Sequence, residues 1–84
     1  MEIKYTAKAE RQLQNIAHDI QKRIVSKMRF FAEQTNPLHF AKPLHHPQLP
    51  QYRFRIGDYR VNFDVKNDVI VVMTIKHRKE SYDI

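Results

Sequence analysis

A chain of 84 residues, 42% hydrophobic and 29% charged, has the balance of one small globular domain spanning residues 1–84, not of a disordered segment. No apolar run nears the roughly 20 residues of a membrane span, and the opening MEIKYTAKAERQ lacks an apolar signal core, so a cytoplasmic protein without a membrane partner is expected. The absence of cysteine excludes disulfides and thiolate metal centres, while a formal charge of +6 predicts a polyanionic partner.

In chain order, EIKY alternates weakly and reads as a short first strand. Thr6 is placed to cap a helix whose apolar face is Ala9, Leu13, Ile16 and Ala17. Asp19 can cap a second helix, with Ile20, Ile24, Met28, Phe31 and Ala32 at offsets of three and four. The short joint between them predicts an antiparallel helical hairpin. Thr35-Asn36-Pro37 stops the second helix, because the residue before a proline is pushed out of the helical region. All four prolines fall in the connection from Pro37 to Gln51. It reads as a packed crossover pinned by Leu38, Phe40, Leu44 and Leu49.

From Tyr52 the period changes to two. Tyr52, Phe54 and Ile56 share one strand face, and Arg53 and Arg55 the other. Tyr59, Val61, Phe63 and Val65 then alternate with Arg60, Asn62 and Asp64, and VIVVMTI reads as a central strand. The expected fold class is α+β: an N-terminal strand and a helical hairpin packed on one face of an antiparallel sheet, in the order β-α-α-β-β-β. That arrangement is a two-layer sandwich with its second face open. The partner of the first strand stays open, as does the register of the last hairpin, because Lys66-Asn67-Asp68 allows a two- or three-residue loop.

Gly57-Asp58 is a two-residue hairpin signal that sets Ile56 against Tyr59, Arg55 against Arg60, Phe54 against Val61 and Arg53 against Asn62. Arg53, Arg55 and Arg60 therefore converge on the open face. Like charges directly opposite one another are destabilising. Three explanations compete: long stems acting as an amphipathic lid, partial neutralisation by Asp58 and Asp64, or retention for a ligand rich in negative oxygens. The ending IKHRKESYDI adds Lys76, His77, Arg78, Lys79 and Tyr82, a combination suited to nucleic-acid binding and to phosphodiester chemistry. His39, His45 and His46 have no fixed-spacing partner, so neither a metal nor another cofactor is expected.

YRFRIGDYRVNFDV, the apolar strand DVIVVMTI and the ending HRKESY resemble the RelE/ParE superfamily of toxins from toxin–antitoxin pairs. NPLHFAKPL after the second helix and the whole order of elements fit the same resemblance. It implies a toxin neutralised by a cognate antitoxin, in a toxin–antitoxin hetero-oligomer, through an acidic or amphipathic segment that wraps the toxin. The RelE branch implies a ribosome-dependent mRNA endonuclease, an mRNA interferase, in which a ribose 2′-hydroxyl attacks the adjacent phosphate and translation is inhibited. Carried onto this chain, Arg60 and Arg78 stabilise the phosphorane, and Arg53 and Arg55 grip flanking phosphates beside Lys76 and Lys79. Tyr82 stacks on or orients a base. In the best-known branch the positions of Arg53 and Arg55 hold lysines, one a candidate general base, and the tail before the tyrosine is longer. Arginine stays protonated and cannot take that role. His77 is the leading proton acceptor, with Glu80 behind it.

Two other functions share the fold. A ParE-like protein binds and inhibits DNA gyrase without catalysis, and an inactive toxin-fold protein only binds an antitoxin. Gyrase trapped on cut DNA would mark the former, and the absence of growth arrest the latter.

Overall fold

The first helix begins where Thr6, in extended conformation, accepts a hydrogen bond at its hydroxyl from the Ala9 backbone N–H at 3.1 Å. In the computed structural model, which describes residues 1–80, the chain runs β1 (Glu2–Tyr5), α1 (Ala7–Gln14) and α2 (His18–Glu33). A 3-10 turn (Pro37–Phe40), β2 (Lys42–Pro43), β3 (Tyr52–Ile56), β4 (Tyr59–Lys66) and β5 (Val69–His77) follow. α2 opens at His18 with no side-chain cap, so Asp19 lies within its first turn, where a carboxylate favours the positive helix end. It stops at Glu33, just before Thr35-Asn36-Pro37, with Gln34 already extended.

The fold is α+β, with both helices on one face of a five-stranded sheet ordered β1-β5-β4-β3-β2. β3, β4 and β5 form the expected antiparallel meander. The sheet as a whole is mixed, because β1 lies parallel to β5 with Glu2 opposite Val69. A helical hairpin between the first strand and the meander supplies the long crossover that parallel pairing requires. β2 extends the far edge by pairing Lys42 with Arg53 and Pro43 with Tyr52.

Two turns set the register. Gly57 has φ of 57°, the positive value that the first position of a tight hairpin turn demands. The β4–β5 loop has two residues, Asn67 and Asp68, with φ of 51° and 62°, and sets Lys66 against Val69. Further along, Asn62 faces Thr74 but Phe63 faces Val72, so Met73 is an extra residue that bulges β5. The bulge lets Ile70 and Val72 before it, and Ile75 after it, all reach the helix side.

There the core assembles. Phe54 and Phe63 are fully buried and stack at 4.4 Å between ring centroids, with Phe31 of α2 stacked on Phe54 at 4.3 Å. Ala9, Ile24, Met28, Val61, Ile70 and Val72 close around them. Pro37 is buried and Leu38 packs on the core, whereas Phe40 rests on Phe31 yet stays 45% exposed. Among the described residues, no helix is long and apolar enough to cross a membrane.

Candidate nucleic-acid interface

Side chains alternate across the pleat, so Phe54 and Ile56 facing the helices turn Arg53 and Arg55 to the open face. The register then builds two rows. In one, Arg55 of β3 lies opposite Arg60 of β4, which lies opposite Lys76 of β5. In the other, Lys42 of β2 lies opposite Arg53, then Asn62, then Thr74. Neighbouring strands are about 4.8 Å apart and the rows about 7 Å, so every cation has another within one or two strand spacings.

Asn62 organises the second row. Although only 3% exposed, its Oδ1 accepts from Arg53 Nε at 2.9 Å and its Nδ2 donates to Thr74 Oγ1 at 3.1 Å. This anchors the Arg53 guanidinium low on the sheet. Burial first, and then the nearby Arg60 charge, pull the Arg53 pKa below the ordinary arginine value. The group remains a cation under ordinary conditions. Lys42, Arg53, Arg55 and Arg60 together line an open cavity of about 100 Å³.

Two carboxylates flank the cluster. Asp64 Oδ1 accepts from the Gln51 backbone N–H at 2.8 Å. Asp58 forms an ion pair with Arg78 at 3.7 Å, and its carbonyl accepts from the Arg78 N–H at 2.7 Å. Arg78 and Lys79 thus leave β5 as exposed residues beside the β3–β4 turn.

His77 does not join the arginine face. The register sets it opposite Tyr59, on the helix side, and the two rings meet edge to face at 5.3 Å. The cause is the bulge at Met73. Without that extra residue Ile75 would face Arg60, and His77 would share the open face; with it, Lys76 takes that place. His77 Nδ1 also accepts from the Lys79 backbone N–H at 3.2 Å. The structure thus places His77, the proton acceptor expected from the sequence, on the helix side beside Tyr59 and apart from Arg53, Arg55 and Arg60. Glu80 lines a separate cavity of about 210 Å³ with Gln12, Ile16, Tyr59 and Ile75, also on the helix side. Tyr82 lies outside the described residues. Lys42, which sequence reasoning missed, carries no local signal, because a two-residue strand ending in proline matches no strand pattern. Among the described residues, no group of three or more His, Cys, Asp or Glu is placed to hold a metal ion.

The model of a family described as the ParE toxin of type II toxin–antitoxin systems matches residues 3–82. The chain belongs to that family. It is thereby a RelE/ParE superfamily protein, as YRFRIGDYR and HRKESY suggested. Toxin RelE3 of Methanocaldococcus jannaschii is 44% identical over 32 residues, a match spanning 38% of this chain and 36% of that relative. The toxin–antitoxin complex RelBE2 of Mycobacterium tuberculosis contains a chain that superposes with a TM-score of 0.75 at 24% identity, covering 92% of this chain and 96% of that one. An archaeal RelE–RelB complex from Pyrococcus horikoshii gives 0.71 at 24% identity, covering 92% and 93%. The E. coli RelBE complex gives 0.70 at 14% identity, covering 90% and 94%. At these identities the structural likeness establishes the fold.

Proposed function

We propose that this ParE-family chain is the toxin of a type II toxin–antitoxin pair, acting in the cytoplasm as a ribosome-dependent mRNA endonuclease. The observation that carries the reading is the convergence of Arg53, Arg55 and Arg60 with Lys42 on one cavity of the open face, with Lys76 completing the row. Crowded guanidinium groups repel one another, and a phosphodiester with its negative oxygens relieves that repulsion on binding.

The reaction class is intramolecular transfer: the ribose 2′-oxygen bonds to the adjacent phosphorus and the 5′-oxygen leaves, giving a cyclic phosphate. Charge accumulates on the phosphorane, and fixed cations that meet it there stabilise the transition state more than the ground state. Arg60, in the middle of its row, is assigned that role, while Arg53 and Arg55 hold flanking phosphates. His77 is assigned no proton transfer. The 2′-hydroxyl proton leaves to solvent or to a group on the ribosome, and the departing 5′-oxygen takes up a proton from the same sources to leave as a hydroxyl. A cognate antitoxin with an acidic or amphipathic segment covers this face in the inactive hetero-oligomer.

A second reading, inhibition of DNA gyrase without catalysis, is favoured by one observation: no histidine lines the cavity of Lys42, Arg53, Arg55 and Arg60, and His77 meets Tyr59 on the helix side. Purified protein added to a translating system separates the two. The first reading expects message cut within ribosome-occupied codons by wild type and by His77→Ala, and left intact by Arg60→Ala. Intact message throughout, with gyrase trapped on cleaved DNA, establishes the second.

A further inference from the structure

Lys42 sits in the long proline-bearing connection, on the outermost and shortest strand of the sheet. A two-residue strand carries little stability of its own, and the segment has other means of closing on the sheet. Its return end is bolted down: the Leu44 N–H donates to the Gln51 carbonyl at 2.8 Å. Gln51 in turn donates from its N–H to Asp64 Oδ1 at 2.8 Å and accepts at Oε1 from the Val65 N–H at 2.9 Å. These bonds hold β2 in one register, with the ammonium-bearing residue directly opposite Arg53.

That register is electrostatically unfavourable, since Lys42–Arg53 is a like-charge cross-strand pair. It is the third on this face, after Arg55–Arg60 and Arg60–Lys76. A segment serving only as a packed crossover has no use for a cation here. A small or neutral residue would pair as well without adding charge to the cavity that Arg53, Arg55 and Arg60 already line.

We infer that Lys42 is a further phosphate-binding residue, contributed by the proline-bearing connection, which extends the single-stranded RNA track from the arginine rows to the β2 edge of the sheet. The inference rests on the RNA-binding reading above and adds the direction in which the strand leaves the site. A backbone crossing the cavity meets Arg60 and Arg55 in one row, then Arg53 and Lys42 in the next, about 7 Å further along the strands. Lysine serves here as a point charge, needing no fixed planar geometry at an exposed edge position.

The test is binding of a short unstructured oligouridylate across a salt series. Each phosphate contact to a single strand contributes a slope of about 0.7 in the plot of log affinity against log salt. Lys42→Gln lowers the slope by about that amount and weakens binding, Lys42→Arg restores both, and Arg55→Ala lowers the slope by a similar step. Lys22→Gln, exposed on α2, serves as the control for general loss of charge and leaves the slope at the wild-type value. Circular dichroism and thermal melting confirm that each variant is folded. A Lys42→Gln slope equal to that of wild type or of Lys22→Gln, while Arg55→Ala still lowers it, overturns the assignment of Lys42 and leaves the RNA-binding reading standing. Wild-type slopes in both Lys42→Gln and Arg55→Ala overturn the two together.

Discussion

Arg55→Thr should make this protein more stable and less able to act on RNA. Arg55 is exposed, lies directly across from Arg60 and is two residues from Arg53 on the same strand face. Taking the spacings as about 5 Å to Arg60 and 7 Å to Arg53, the two repulsions in a water-like dielectric come to about 1.4 kcal/mol without screening. A Debye length of about 8 Å at physiological salt halves that to roughly 0.7 kcal/mol. Threonine keeps the β-branched preference for a strand, so little is lost in exchange. For 84 residues the unfolding entropy is near 0.18 kcal/mol/K, and the melting temperature should rise by roughly 4 °C, and by more at low salt. Thermal melting by circular dichroism, at low salt and at about 0.5 M, measures both the rise and its disappearance under screening. A fall in melting temperature, or a rise that salt does not diminish, refutes the reasoning and points to Arg55 as a covering stem.

Asn62→Ala removes the acceptor of Arg53 Nε and the donor to Thr74, so a loss of roughly 2–3 kcal/mol is expected in urea melts, together with weaker RNA binding. Asp68→Gly relieves a left-handed backbone at φ of 62° and should raise stability by about 0.5–1 kcal/mol in the same assay. Burial raises the Tyr5 pKa above its ordinary 10.0, against a smaller lowering by Arg29. The folded state therefore holds the phenol proton more tightly than the unfolded chain. Its contribution is complete below pH 10 and fades as pH climbs above it, so Tyr5→Phe should show a shallower alkaline loss of stability than wild type.

Much of this architecture was legible because it follows from local rules. Glycine at position 57 forces a tight turn, and alternation on either side then commits every residue from Tyr52 to Asp64 to one face. The helix stop before Pro37 has the same local origin. What escaped depended on pairing between distant segments. β1, with four residues and weak alternation, has no sequence mark for parallel pairing with β5. Lys42 becomes part of the site only through Arg53 across the strand gap. The Met73 bulge was hidden because Val69 to Ile75 is so uniformly apolar that either face could be buried. Its consequence is large, since one extra residue sets Lys76 rather than Ile75 opposite Arg60 and turns His77 to the helix side.

RNA binding at the open face requires its guanidinium groups to act as one phosphate-binding site. Nitrogen-15 spectra of the arginine Nε–H groups, recorded while single-stranded RNA is titrated in, observe those groups directly. Arg53, Arg55 and Arg60 are expected to shift along one shared binding curve, with Arg11, Arg23 and Arg29 of the helices unmoved. Shifts confined to the helical arginines, with the open-face set silent at saturation, contradict it.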